Sequence, residues 1–169
     1  PKEYMVADQR FLSGRSDVLT FVSEPLEEDM TLVGPVDADL EVTLSTTDAD
    51  FVVKLIDVWP DNTEYPGYQM LVRGDIMRGR YRRSFSAPEP FTPGEPTEVA
   101  FTMPDIAHTF RKGHRIMVQV QSSWFPLADR NPQQFVDIYR CAASDFIPCD
   151  VRIYHDRRRP SRLEVLRLR

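Results

Sequence analysis

The stretch from residue 51 to residue 85, FVVKLIDVWPDNTEYPGYQMLVRGDIMRGRYRRSF, decides the fold. It opens with a run rich in valine, isoleucine and aromatic residues, residues 51–59, which Pro60 ends. A polar break, residues 61–67, separates this run from a second extended run, residues 69–81. Two β-rich runs around a break of hairpin length predict two antiparallel strands.

The first of these runs is apolar on both sides of the strand it predicts. Alternate positions carry apolar residues in both sets: Phe51, Val53, Leu55 and Trp59 in one, and Val52, Ile56 and Val58 in the other. A strand at the edge of a sheet, with one face exposed to solvent, would alternate between apolar and polar residues. The pattern therefore predicts a central strand that is covered on both faces.

Further strands are predicted outside this stretch, at residues 18–22, 36–46, 97–103, 114–123, 135–139, 151–155 and 162–168. In residues 114–123, Ile116, Val118 and Val120 are expected to point inward, and Met117, Gln119 and Gln121 outward. Residues 104–110 are predicted to be a short connection with one helical turn. No long window keeps a helical period, so we expect an all-β sandwich of eight to ten strands with jelly-roll or Greek-key topology.

Composition and charge restrict the class of protein. The 169 residues are 41% hydrophobic and 28% charged, as in a soluble globular domain, and no apolar run is long enough to predict a membrane span. The net charge of −5 divides into −11 over residues 1–72 and +6 over residues 73–169. The basic half could bind nucleic acid, or acidic and basic strands could pair within one sheet. We favour pairing, so neither nucleic acid nor membrane is an expected partner.

The nearest match to a hydrolase nucleophile elbow is residues 14–18, GRSDV. An elbow needs glycine on both sides of the serine and a following helix, and this segment has neither the second glycine nor a helical pattern after it. His108 and His114 are six residues apart, which suits neither a helical pair nor one strand face, and His155 stands beside Asp156. We interpret all three histidines as surface or hydrogen-bonded structural residues.

The carboxylates and thiols of the sequence also do not indicate a catalytic or metal site. Asp48 and Asp50 lie in a predicted turn, where solvation explains them better than catalysis. Cys141 and Cys149 belong to no zinc motif and are expected to be free thiols. The sequence therefore predicts no catalytic residue, no metal site and no cofactor.

Aromatic residues at strand ends and in loops suggest a binding function instead of catalysis. They are Trp59, Tyr65, Tyr68, Tyr81, Trp124 and Phe125. On a sandwich they could form a platform for stacking sugars, which would make this a free-standing carbohydrate-binding module. Alternatively, Trp59 and Trp124 cap the core or lie in an interface between domains, and we favour this second interpretation.

Several segments, taken in order, resemble one known family. They are residues 17–21 (DVLTF), 24–26 (EPL), 32–35 (LVGP), 48–60 (DADFVVKLIDVWP), 78–82 (RGRYR), 93–94 (PG), 112–115 (KGHR), 122–126 (SSWFP), 129–132 (DRNP) and 160–163 (PSRL). No single segment is a strong motif, but their shared order over about residues 15–166 is specific. The chain resembles the C-terminal domain of the X-Pro dipeptidyl-peptidase family, which includes cocaine esterase, α-amino-acid ester hydrolases and glutaryl cephalosporin acylases.

The resemblance implies a jelly-roll (galactose-binding-like) β-sandwich that follows an α/β-hydrolase domain with a Ser-Asp-His triad. None of that triad is expected in this chain. Residues 1–16 would be a linker leading into the domain, and residues 17–169 the C-terminal domain of a larger hydrolase, found in the cytoplasm or secreted. An intact small hydrolase has the least support.

In such an enzyme the domain would pack on the hydrolase domain of the same polypeptide, frame the active-site entrance and contribute to contacts between copies. Candidate residues at this interface or entrance are Trp59, Tyr81, Trp124, Phe125, Asp129, Arg130 and Asn131. We expect Asp129, Arg130 and Asn131 to hydrogen-bond into their own loop and across to the hydrolase domain.

Overall fold

A computed structural model describes residues 7–169, which form two packed antiparallel sheets. The strands are β1 Val18–Val22, β2 Met30–Leu44, β3 Asp50–Val58, β4 Gln69–Arg78, β5 Thr97–Phe110, β6 Arg115–Gln121, β7 Val151–Ile153 and β8 Arg162–Arg167. Short 3₁₀ turns occur at Gln9–Leu12, Gly79–Tyr81 and Ala143–Asp145. The prediction of an all-β sandwich with eight to ten strands is confirmed, since residues 7–169 form eight, while the jelly-roll label stays a prediction. Among the described residues no helix is long and apolar enough to cross a membrane.

The first sheet has the order β1-β6-β3-β4, which places β3 inside the sheet between β6 and β4. Every residue of β3 except Val58 is buried. The prediction from the two-sided apolar pattern is therefore confirmed. The second sheet has the order β5-β2-β7, and β8 also pairs with β2, so the long strand β2 organises that layer.

The predicted connection at residues 104–110 is wrong, because β5 continues through it to Phe110. The register between β2 and β5 shifts at this point: Gly34 pairs with Ile106, and Val36 pairs with Met103. This bulge lies at Pro35 on one strand and Pro104 on the other. Proline lacks a backbone N–H, and a bulge leaves residues unpaired, so both prolines fit inside one long ladder.

Two further predictions about β structure are corrected. Residues 135–139 form turns instead of a strand, within a connection that runs from β6 to β7. Met117, Gln119 and Gln121 were expected to point into water, but they are buried. The outer face of the first sheet is covered there, because the turn Gln9–Leu12 and the ring of Trp124 both contact Lys54, the residue paired with Gln119.

Acidic and basic strands do pair, as the charge distribution suggested. Arg162 on β8 forms an ion pair of 2.7 Å with Asp39 on β2, and Arg167 pairs with Glu28. The basic excess at the end of the chain is thus partly neutralised by the acidic first half of the sequence.

The core lies between the sheets and is almost entirely aliphatic, with Phe51, Phe91 and Phe110 as its buried rings.

The predicted linker, residues 1–16, is described only from residue 7. Gln9 and Leu12 within it are buried against the sandwich, so this part is packed on the domain. Residues 1–6 of the predicted linker lie outside the described residues.

Phe51→Ala should lower the free energy of unfolding by about 3–5 kcal/mol, because a fully buried ring is replaced by a cavity. The matched control is Phe21→Ala on edge strand β1, where the ring is 41% exposed and the loss should stay below about 1.5 kcal/mol. Urea unfolding measures both variants. Equal losses would contradict the assignment of β3 to the core.

Candidate functional site

Five of the seven predicted interface residues lie in one loop, which follows β6: Trp124, Phe125, Asp129, Arg130 and Asn131. Tyr81 is close to this loop, since it lines the same concave surface as Asp129. Trp59 does not join them, because it lies past the end of β3, next to the turn at residues 61–67. The loop at residues 124–131, called here the tethered loop, is therefore the candidate site.

Two buried ion pairs lie beneath the tethered loop. Asp48 and Asp50, at the start of β3, are both buried, contrary to the prediction that solvation explains them. Arg80 Nε donates to Asp48 Oδ2 over 2.8 Å, and Arg78 Nε lies 3.3 Å from Asp50 Oδ1. Burial raises the pKa of Asp50, although its hydrogen bond to Asn131 and the charge of Arg78 oppose this shift.

Asn131 joins the loop to this pair of carboxylates. Its side-chain Nδ2 donates to Asp48 Oδ2 over 2.9 Å and to Asp50 Oδ1 over 2.8 Å. Its Oδ1 accepts from the backbone N–H of Gln133 over 2.9 Å, which is the bond within the loop that the sequence predicted. Asn131 is 4% exposed, so all three contacts are shielded from water.

The two arginines extend past the carboxylates and bind the backbone of the tethered loop and of the segment that follows it. Arg78 Nη2 donates to the carbonyl of Asp129 over 3.0 Å, and Arg80 Nη1 donates to the carbonyl of Val136 over 2.8 Å. Arg130 lies over the ring of Phe146 at 5.0 Å. The carboxylate of Asp129 forms no hydrogen bond or ion pair within residues 7–169, so inside the domain Asp129 acts through its backbone alone.

Trp124 fixes the start of the loop against the sheet. Its ring lies against β4 at Gly74, where an added Cβ would come within 2.7 Å of the ring. The same ring lies 4.7 Å from Nζ of Lys54, which projects from the outer face of β3. Burial lowers the pKa of Lys54 from 10.5 to about 8. The residues around Lys54 and Trp124 enclose a pocket of about 490 Å³.

On its other side the loop borders an apolar area, called here the aromatic surface, which consists of the half-buried Tyr81 and the exposed Phe85, Leu127 and Tyr139. Tyr81 and Phe85 stack with ring centroids 6.5 Å apart. Phe85 is 81% exposed and Tyr139 is 82% exposed, which is unusual for rings in the same neighbourhood. Exposed apolar residues gathered in one area are common on surfaces that contact other protein segments.

At the far end of β3, a buried aspartate holds two of the histidines. Asp57 accepts from His108 Nε2 over 2.9 Å and from His114 Nδ1 over 2.8 Å. Sequence reasoning placed both histidines beside a turn and did not find this cluster, because Asp57 is more than fifty residues away from each of them. The cluster confirms that these are hydrogen-bonded structural histidines.

Trp59 packs beside this cluster, 5.7 Å from the ring of His114. Its other ring neighbours, Tyr65 and Tyr68, meet it edge-on, with interplanar angles of 75° and 89°. Rings in this arrangement share no flat face on which a sugar could stack. The geometry therefore favours a packing role for Trp59 over a carbohydrate platform.

Catalytic and metal-binding arrangements are not found in residues 7–169. No serine hydroxyl in this part of the chain is hydrogen-bonded to a histidine, and no group of three or more His, Cys, Asp or Glu residues could hold a metal ion. Cys141 and Cys149 are both free thiols, and the Sγ of Cys149 contacts the Thr46 hydroxyl at 3.0 Å. The fold and the tethered loop define a β-sandwich domain.

Comparison with known proteins identifies the family. Residues 4–164 match the X-Pro dipeptidyl-peptidase C-terminal non-catalytic domain. Cocaine esterase from Rhodococcus sp. (strain MB1 Bresler) is 43% identical over 125 residues, which is 74% of this chain and 21% of the esterase. The chain belongs to the family of X-Pro dipeptidyl-peptidase C-terminal non-catalytic domains.

Two solved structures agree with this assignment. An aminopeptidase from the marine sediment archaeon Thaumarchaeota archaeon superposes with a TM-score of 0.95 at 42% identity, covering 99% of this chain and 28% of the aminopeptidase. An α-amino acid ester hydrolase superposes with a TM-score of 0.92 at 46% identity, covering 95% and 27%. The chain thus spans about a quarter of these relatives.

Asn131→Ala should lower the free energy of unfolding by about 1–3 kcal/mol, because two buried carboxylates lose a donor. The control is Asn62→Ala in the exposed turn after β3, which should change stability by less than about 0.5 kcal/mol. Urea unfolding and amide hydrogen exchange of residues 129–136 check this. If exchange there matches the wild type, Asn131 does not tether the loop.

Lys54 should make stability depend on pH in the alkaline range. Between pH 8 and 10.5 the unfolded chain binds a proton at Lys54 that the folded chain does not, so the free energy of unfolding rises with pH there. Lys54→Met should remove a rise on the order of 2 kcal/mol. Urea unfolding across this pH range compares the two proteins. Parallel curves would contradict the shifted pKa.

Proposed function

We propose that the chain is the accessory domain of a serine hydrolase that acts on acyl esters or amides. In this proposal it packs on an α/β-hydrolase domain of the same polypeptide and frames the entrance of the active site. The observation that carries the proposal is the match of residues 4–164 to a non-catalytic domain whose relatives include an esterase, an aminopeptidase and an ester hydrolase.

The short coverage of the relatives supports a position beside another domain. The chain spans only 21% of cocaine esterase and 27–28% of the two solved chains, so most of each relative lies outside the region of similarity. A domain that contributes no catalytic group can still affect catalysis by shaping the path to a neighbouring active site.

The aromatic surface and the tethered loop are the proposed contact with the hydrolase domain. Tyr81 is half-buried in this surface and Phe125 is exposed in the loop beside it, and the carboxylate of Asp129, which has no partner within residues 7–169, is available for a hydrogen bond across the interface. Asn131 and Trp124 hold the loop on the sandwich through their side chains, and the exposed Arg130 contacts the ring of Phe146. Trp59 belongs to the opposite end of β3 and has no place in this contact.

Hydrolysis of p-nitrophenyl butyrate tests whether the catalytic activity lies outside this domain. The full-length polypeptide should hydrolyse the ester, and a serine-reactive phosphonate should abolish the activity, whereas the 169-residue chain alone should show no turnover. Turnover by the chain alone would overturn the proposal. Saturable binding of the chain to a glycan array would instead support the carbohydrate-binding module.

Substitutions in the aromatic surface test the docking face. In the full-length polypeptide, Phe85→Ala and Tyr139→Ala should each weaken docking by about 1–2 kcal/mol, seen as a lower Tm and altered kcat/KM. In the isolated chain the same changes should be nearly neutral, because both rings are exposed. Leu166→Ala, an exposed residue of β8 on the second sheet, is the control. Equal effects of all three variants would place the interface elsewhere, for example between copies of the polypeptide.

A further inference from the structure

Lys54 is a buried cation on the central strand of the first sheet. Its side chain leaves the outer face of β3, and the residue is only 1% exposed. A lysine ammonium has three N–H donors. One donates to Gln9 Oε1 over 2.9 Å, and the ammonium also lies above the rings of Trp124, at 4.7 Å, and Phe11, at 5.8 Å. Among the described residues, Lys54 therefore does not use its full hydrogen-bonding capacity.

No carboxylate neutralises this cation within residues 7–169. The ion pairs of the described residues do not include Lys54, and its pKa is lowered by burial with no opposing acidic neighbour. Its neighbours in the sheet are Gly74 on β4 and Gln119 on β6, neither of which titrates. A buried charge without a counter-ion is costly, and a bound anion would remove that cost.

Lys54 lines the pocket of about 490 Å³, whose other walls are largely apolar. Phe11, Leu12, Trp124 and Phe125 provide these walls. Such a volume accommodates a small organic molecule and not only an inorganic ion.

A second polar group in the pocket lacks a partner. Gln121 lines the pocket and its buried Oε1 accepts no hydrogen bond from residues 7–169, while its Nε2 donates to the carbonyl of Ser123 over 2.7 Å. An unpaired buried acceptor favours a ligand that carries a hydroxyl or another N–H or O–H donor.

The charges at the pocket select the type of anion. Arg15 and Asp17 also line the pocket, but they are paired with each other through two hydrogen bonds. Asp17 stays ionised across the neutral range, because that pairing lowers its pKa. One unpaired cation beside an ionised aspartate suits a monoanion and disfavours a phosphate dianion.

We propose that the pocket beside Lys54 binds a small organic monocarboxylate that carries an aromatic or branched apolar group. The carboxylate pairs with the Lys54 ammonium, the apolar group lies between Phe11, Trp124 and Phe125, and a hydroxyl on the ligand donates to Gln121 Oε1. This site is formed by the chain itself and does not depend on a neighbouring hydrolase domain.

Calorimetric titration of the 169-residue chain with 3-phenyllactate tests the proposal. The neutral amide of the same compound should bind at least about tenfold more weakly, because it cannot form the charge-assisted hydrogen bond. 3-Phenylpropionate, which lacks the hydroxyl, should bind a few-fold more weakly than 3-phenyllactate. Lys54→Met should lose binding, and Lys54→Arg should keep part of it.

Equal binding of acid and amide, or unchanged binding by Lys54→Met, would overturn the site, as would the absence of any heat with the wild type up to about 10 mM ligand. If Lys54→Met does not fold, the wild type still decides the question. Its affinity for 3-phenyllactate should fall as the pH rises through about 8, where Lys54 loses its proton. A flat pH profile would overturn the proposal. Failure here would leave the proposed function untouched, because ester hydrolysis by the full-length polypeptide is measured separately.

Discussion

The compensation of two buried carboxylates constrains the rest of this domain. Asp48 and Asp50 precede or begin the central strand β3 and have almost no access to water. Unpaired, they would cost several kcal/mol each by order of magnitude. Arg80, Arg78 and Asn131 compensate them. Because these three residues come from the end of β4 and from the loop after β6, the requirement brings distant parts of the chain to one place.

A buried ion pair adds little net stability, but it can fix one arrangement among many. Here it fixes the tethered loop, since any shift of Asn131 leaves both carboxylates short of a donor. The arginines reinforce this through the carbonyls of Asp129 and Val136. A loop with aromatic residues and little regular structure is thereby attached to β3 and β4 through side-chain hydrogen bonds.

Sequence patterns predicted the parts of the fold that depend on local alternation. β1, β3, β7 and β8 were located from short apolar runs, and the two-sided pattern of β3 also gave its central position. The bulge at Pro35 and Pro104 was missed, because each proline by itself indicates the end of a strand. Only the pairing of β2 with β5, which joins residues some seventy positions apart, makes the prolines compatible with continuous strands.

The candidate site, like the fold, was predicted from sequence only in part. The loop with its aromatic and Asp-Arg-Asn residues could be singled out from composition, and the bond from Asn131 into its own loop was expected. The partners of Asn131 could not be predicted from sequence. Asp48 and Asp50 look like turn residues there, and only the structure shows that Arg78 and Arg80 pair with them. The same holds for Asp57 with His108 and His114. Charged residues carry no periodic signal, so their pairing emerges only from the tertiary structure.

Lys54, on the same strand β3, carries a buried charge that is only partly compensated. The carboxylates at the start of β3 are paired, whereas the ammonium four residues after Asp50 has only an amide oxygen and aromatic rings as partners. Trp124 contacts this lysine, and Leu127 of the same loop lies on the aromatic surface. Arg78 and Asn131 attach the end of the same loop to the sandwich, so the pocket and the proposed docking face share one segment. A group bound at Lys54 and a domain docked on the aromatic surface would therefore both act on the position of this loop, which links the two proposals through a single physical element.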